Sequence, residues 1–457
     1  MLKNRLPILN SILIQLSVNG FYVCIPMNRL SVIFLLLLSS IFTSVSFAQY
    51  KQELIQTNVV LRDKQQHFDA YMRNNVIAET FTQPLDSNTE YKYEAACLAA
   101  SQFMLHSAII KSGFDTLFAH YDSIEYDTKR AFLEALYGLY PNEYVAQINS
   151  LLTKETQPKL FAMQALYLYQ NDSSSQQVKR IIKQLQKGFP VVDTLPVLQS
   201  LQLYLQHNLP EKQTKTPSFS SLFSYQKISG RQLIYSFQRW NRDYPGLAII
   251  QNADGSFARD SLGHLLMFEQ LARSASGLPY FITSGNTPQG IFSVQGTGIS
   301  HNNLIGPTPN LQLLLPHEDD AMYWHQMPDS SLSFEKNYFL LLPPDWRNYL
   351  PMQEALQAGT VGRTAIIAHG STIDPDYFKG KPFYPLSPTL GCLCAKENWN
   401  IFTGKLNQSD QFNFINTYLA RPEDEAGYLF VINIDNQQAP VSREEVEKLV
   451  SEFEKGN

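Results

Sequence analysis

The sequence is short of cysteine, with four in 457 residues, and short of charge, with 17% Asp, Glu, Lys and Arg. So few thiols, widely scattered, cannot form the disulfide framework of a small secreted scaffold. The formal net charge of -5 offers no basic excess and argues against a nucleic-acid partner. Beyond residue 48 no apolar run approaches the roughly 20 residues of a membrane span. What the chain does have is apolar content: 44% of it is hydrophobic, the composition of a globular protein. Its length suits two or three domains with cores of their own.

The region from Met27 to Ala48 has the order of a secretory signal. Arg29 is its positive start, Val32 to Leu38 its apolar centre, and Ser46-Phe47-Ala48 a small-x-small cleavage site. Residues 1–48 are therefore read as leader and signal peptide, with the true start at Met27. Their removal takes away Lys3, Arg5 and Arg29 and no acid, so the remaining chain is three charges more negative. It also takes away Cys24 and leaves Cys97, Cys392 and Cys394. An odd number of cysteines in an exported chain leaves at least one thiol to explain. No cysteine follows the cleavage site, which argues against a lipid anchor there.

Residues 49–209 read as helical. Tyr91 to Ser112, Thr128 to Tyr140, Glu143 to Thr153, Pro158 to Tyr169 and Ser175 to Lys187 carry helix-compatible apolar spacing. Lys129…Ala135-Leu136-Tyr137 recurs 30 positions later as Lys159…Ala165-Leu166-Tyr167. That offset suggests a helical-repeat-like domain, with an ordinary bundle as the alternative. Residues 210–221, with Pro210, Lys212, Lys215 and Pro217, read as a linker. From 222 to 457 the pattern changes. Gly246 to Asn252, Pro279 to Thr283, Ile291 to Gln295, Asn337 to Leu342, Thr364 to Ala368 and Tyr428 to Ile434 read as strands, and Gly263 to Ser274 as a helix. Ser442-Arg443-Glu444-Glu445 is a capping box opening a last helix to about Phe453. The expected fold is α+β: an N-terminal all-α domain, then a mostly-β domain.

The chemistry concentrates in two segments. Pro388-Thr389-Leu390-Gly391-Cys392-Leu393-Cys394 places a thiol directly after a glycine. Ala365-Ile366-Ile367-Ala368 leads into His369-Gly370-Ser371, so an imidazole ends an apolar run. A thiol becomes nucleophilic as thiolate, and a neighbouring histidine can take its proton. Gly391 lets the backbone approach a carbonyl, and the amides around it could donate to an oxyanion. Thr389 fits a helper on this segment or a turn residue bonding its own backbone.

A third segment, Thr287-Pro288-Gln289-Gly290-Ile291-Phe292-Ser293-Val294, is a turn running into a strand. Together the three resemble the L,D-transpeptidase catalytic-domain family. Thr287, Pro288, Gly290, Phe292 and Val294 match its first element, His369 and Gly370 its second, and Thr389, Gly391, Cys392 and Leu393 its third. The resemblance covers roughly residues 240–435. Leu390 stands where the family usually has a histidine, and Cys394 where it has Arg or Asn. A long insertion, about 307–359, separates the first two elements. The resemblance implies a mostly-β catalytic domain and acyl transfer on peptidoglycan stem peptides. In it Cys392 is the nucleophile and His369 the base. Gly370, Ser371 and Leu390 are expected beside the substrate; His301, following Gly296-Thr297-Gly298, reads as a cleft-lining residue or as part of a turn. It implies no cofactor.

Other readings stay open at this point. A hydrolase on the same scaffold would cut stem-peptide or protein–peptidoglycan bonds. A non-catalytic wall-binding module would use the helical half to dock a protein partner. Cys392, Cys394 and His369 fall one ligand short of the four a zinc site normally takes. The two cysteines could instead form a strained disulfide. Cys97, in Ala95-Ala96-Cys97-Leu98-Ala99-Ala100, reads as core. His317, Glu318, Asp319, Asp320 and His325 read as a solvated loop, and Trp324 and Trp346 as packing of the insertion.

Overall fold

A computed structural model describes residues 50–207, 215–421 and 426–456. The signal-like segment with Cys24 and the centre of the expected linker lie outside them. The fold is α+β, with helices in the N-terminal half and a closed eight-stranded barrel in the C-terminal half.

The helices are α1 (Arg62–Tyr71), α2 (Glu90–Gln102), α3 (Ala108–Ala119), α4 (Tyr126–Leu139), α5 (Val145–Leu152), α6 (Pro158–Asn171), α7 (Ser175–Gly188) and α8 (Pro196–His207). The expected single helix from Tyr91 to Ser112 is two. Met104 takes a left-handed φ of 49° between them, and Ser107 caps α3 by accepting from the Ile110 amide at 3.3 Å. The two Ala-Leu-Tyr segments lie on α4 and α6. Tyr167 donates to the Tyr140 carbonyl at 2.5 Å and accepts from the Tyr144 amide at 3.1 Å. Cys97 is wholly buried in this core.

The strands are β1 (Gln232–Arg239), β2 (Gly246–Gln251), β3 (Phe268–Leu271), β4 (Gly290–Gly298), β5 (Asn310–Leu314), β6 (Ala368–His369), β7 (Leu393–Ala395) and, after a small β8–β9 hairpin (Glu397–Trp399 with Leu406–Ser409), β10 (Ala426–Asp435). The barrel order is β1-β10-β4-β5-β6-β7-β3-β2. Two neighbouring pairs are parallel, β1 with β10 and β6 with β7. Alternate residues of β1 enter different cores, as a period of two demands. Ile234 joins the large core that runs on into the helices, while Leu233, Tyr235 and Phe237 pack under α9 (Phe219–Lys227) and the C-terminal helix. Helices and barrel thus share one continuous apolar core.

Four expected elements of the C-terminal half differ. Gly263–Ser274 is not a helix: Asp260 accepts from the Leu262 and His264 amides to close a turn, and β3 follows. Pro279–Thr283 is not a strand, because its backbone bonds within itself, Ile282 to Pro279 at 3.0 Å and Gly285 to Ile282 at 2.9 Å. Asn337–Leu342 lies largely in helix α10 (Phe334–Leu340), capped by Ser333, which accepts from the Lys336 amide at 3.3 Å. The expected strand Thr364–Ala368 shrinks to its end, since Ala365 at φ 59° breaks the extended run. The final helix (Arg443–Gly456) opens on the expected capping box. Glu445 accepts from the Ser442 amide at 2.7 Å, and Ser442 accepts in return from the Glu445 amide at 3.2 Å. Trp346 is fully buried, its Nε1 donating to the Ser218 carbonyl at 3.0 Å, and Trp324 packs against the same core.

Candidate active site

Parallel pairing of β6 with β7 brings the two chemical segments together. Ala368 is in register with Leu393, and His369 with Cys394. Ala368 and Leu393 are wholly buried in the large core. His369 and Cys394 therefore share the opposite face, and the same alternation carries Cys392 one step earlier on that face. His369 pairs with Cys394, and Cys392, one residue before β7 and with its thiol on the Ala365 carbonyl, lies diagonally from His369. Two residues of rise and one strand spacing put their Cα atoms ~8 Å apart. Among the described residues no hydrogen bond joins thiol and imidazole. Such bonds are often long before substrate binds.

His369 is buried, and its Nδ1 donates to the Gly370 carbonyl. That bond fixes the proton on Nδ1 and leaves Nε2 as the acceptor. Burial pushes the imidazole pKa down to about 4, only partly offset by the bond to Gly370, so the ring is neutral at neutral pH. Gly370 is itself wedged against Glu397: a Cβ on it would lie 2.1 Å from that carboxyl. Glu397 accepts from the Ser371 amide at 2.9 Å and from Ser409 Oγ at 2.7 Å. Burial raises Glu397 to about 7 in spite of these donors.

Cys392 is half-buried at the mouth of β7 and donates to the Ala365 carbonyl at 3.6 Å. Burial raises its thiol pKa, while the Ile367 amide and the Arg363 charge pull the other way. The turn before it is tightly tied. Thr389 Oγ1 accepts from the Gly391 amide at 3.0 Å and donates to the Cys392 carbonyl at 2.9 Å. Thr287 Oγ1 donates to the Gly391 carbonyl at 2.9 Å. The first and third sequence segments thus meet through one bond. Thr389 thus bonds the backbone of its own turn, the turn that carries the thiol.

Arg363 escaped sequence reasoning. It is buried, and its guanidinium donates to the Tyr280, Asn286 and Gly285 carbonyls, the latter two at 2.9 and 3.0 Å. It lies against Gly391, whose φ is 117°. Its only sequence signal was a lone Arg just before an apolar run. Glu318, read as a solvated loop residue, accepts from the Ala365 amide at 2.8 Å and so holds the residue whose carbonyl meets the thiol. His317 contacts Asp320 and Glu335, and His325 Nε2 meets Ser293 Oγ at 2.9 Å.

The remaining expected residues divide. Gly370 and Ser371 sit beside His369, and Ser371 lines a large cavity. Leu390 is 51% exposed next to the thiol turn. His301 is exposed between β4 and β5 and outside that cavity's lining. The cavity has a volume of about 1070 Å³ and runs between α1 and the segments 371–387 and 395–401. Ser371 and Ala395 border it, so it begins just past the β6–β7 pair, and neither Cys392 nor His369 lines it. Cys394 is buried, and burial drives its thiol well above the usual range. The described cysteines are all free thiols. Among the described residues no three His, Cys, Asp or Glu side chains gather as metal ligands do, and no helix is long and apolar enough to cross a membrane.

Compared with known proteins, the chain matches no family model, no curated protein and no solved structure.

Proposed function

We propose that the chain is an exported, L,D-transpeptidase-like cysteine acyltransferase acting on peptidoglycan stem peptides. The observation that carries the reading is the Gly391–Cys392 turn, bonded to Thr287 and backed by Arg363, which leads into the strand beside a neutral His369 whose Nε2 has no hydrogen-bond partner among the described residues. Substrate binding draws His369 Nε2 and Cys392 Sγ together. Nε2 takes the thiol proton as Sγ attacks the carbonyl, and backbone amides of the turn stabilise the oxyanion. The C–N bond then breaks, the amine leaves with the proton from His369, and a thioester on Cys392 remains. An acceptor amine attacks that thioester, gives up a proton to His369 and releases the free thiol. The cavity beyond Ser371 suits a peptide, with Trp399 and Tyr377 as flat walls and Arg62 and Asp374 as charges of both signs.

Hydrolysis is the second reading. The thiol turn presents exposed Leu390 rather than a charged side chain that could seat an acceptor, which favours water as the second nucleophile. Incubating the full chain with stem-tetrapeptide muropeptides and analysing products by mass spectrometry separates the two. Cross-linked dimers support transfer, trimmed monomers support hydrolysis, and binding without turnover supports a wall-binding module.

A further inference from the structure

A second cavity, of about 320 Å³, opens where the helical half meets the barrel. Its walls include Tyr204, Trp240, Arg242, Tyr280, Glu354 and Asn433. Arg242 is 8% exposed, and its donors go to uncharged acceptors: the Arg239 carbonyl, Asn433 Oδ1 and the Thr287 carbonyl. Glu354 accepts from the Gln289 amide at 2.8 Å and from Gln289 Nε2 at 3.2 Å. Neither makes an ion pair with a described residue. A buried charge is ordinarily paired, because desolvation is costly and an opposite charge offsets it. Here the Arg242 guanidinium and the Glu354 carboxyl face the same cavity without forming an ion pair; burial raises Glu354 to about 7, and the Arg242 charge opposes that shift, as a ligand ammonium there would. A guanidinium with spare N–H groups fits a carboxylate. The Trp240 indole N–H and the Tyr204 hydroxyl also lack hydrogen-bond partners among the described residues, and their rings offer an apolar wall.

We propose that this cavity binds a small zwitterion of amino-acid type, its carboxylate on Arg242, its ammonium toward Glu354 and its side chain against Tyr204 and Trp240. A dianion is disfavoured, since Glu354 repels the second charge. A simple cation is disfavoured by Arg242. The site is separate from Cys392, so the proposal stands or falls independently of the acyl-transfer reading.

The test is calorimetric titration of the full chain carrying Cys392→Ala. The probes are valine, isovalerate and isobutylamine, which share one carbon body and differ in the charged groups. The expected result is one valine site, with isovalerate and isobutylamine each at least tenfold weaker. In a Glu354→Gln variant valine should fall to the level of isovalerate. No valine binding, valine no tighter than isovalerate, or valine unaffected by Glu354→Gln would each overturn the proposal. If Glu354→Gln does not fold, the comparison of the three probes on the parent still decides it.

Discussion

The Arg363 guanidinium occupies the space that a side chain on residue 391 would need. A Cβ on Gly391 would lie 2.2 Å from Arg363 Nη2 and 2.7 Å from the Gly285 carbonyl. The backbone there, at φ 117°, is also one that side chains rarely adopt. Gly391→Ala is therefore expected to cost stability by about 2 kcal/mol or more. It should also displace the thiol turn. Denaturant unfolding checks the first effect, and the rate of Cys392 alkylation checks the second.

Arg363 also brings a positive charge to the thiol. Burial holds Cys392 above the ordinary thiol range, and the guanidinium opposes that shift. A cation favours thiolate, so removing it moves the pKa further up. The pH profile of iodoacetamide alkylation should have its midpoint above that of an exposed cysteine. Arg363→Gln should shift it higher still, and a profile that moves down contradicts the assignment. Intact-mass kinetics in folded variants is the measurement.

Glu397 ties the Gly370–Ser371 segment that fixes the His369 tautomer. Its folded pKa, about 7, is raised above that of a free carboxylic acid. The folded state then holds a proton that the unfolded state has lost. Glu397 therefore supports stability below about pH 4.5, and that support is lost as pH rises through 7. Gln cannot titrate. The stability advantage of the parent over Glu397→Gln should shrink between pH 5 and 7.5, in chemical denaturation followed across that range. His369 has the opposite sign: its pKa is depressed to about 4, so its contribution is gained as pH rises from 4 to 6.5.

The helical half holds the loop that feeds Arg363. Lys159 on α6 donates to Thr283 Oγ1 at 3.0 Å, and Gly138 on α4 sits so close to the Ser276 carbonyl that a Cβ would be 2.9 Å from it. Arg363 binds carbonyls of residues 280, 285 and 286 in the same loop. With the core shared as well, a fragment starting at residue 215 should fail to fold cooperatively. Circular dichroism melting and size-exclusion chromatography of that fragment test this.

The thiol turn was legible because its cause is local. Gly391, Cys392 and Thr389 are adjacent in sequence, and Thr287 announced itself through the Pro and Gly around it. Arg363 and Glu397 were not legible. Each acts through backbone groups far away in sequence, and an arginine or glutamate bound to carbonyls or amides leaves no pattern. The same holds for the elements. The capping box at Ser442 was readable from four residues. By contrast, Asn337–Leu342 read as a strand, whereas Ser333 as N-cap and the packing of Tyr338 under β4 select a helix. Ala365 broke an apolar run that composition alone extends to a full strand, because its left-handed backbone is held by Glu318 across 47 residues.

The most direct test of the central claim is intact-mass spectrometry of the full chain mixed with a stem-tetrapeptide muropeptide, with peptide mapping of any adduct. The account predicts an adduct equal to the substrate less its departing amino acid, mapped to Cys392. It should be absent in Cys392→Ala and formed at least 100-fold more slowly in His369→Ala, the scale of a lost general base. Turnover that persists in Cys392→Ala, or an adduct mapped to Cys97 or Cys394 instead, would contradict it.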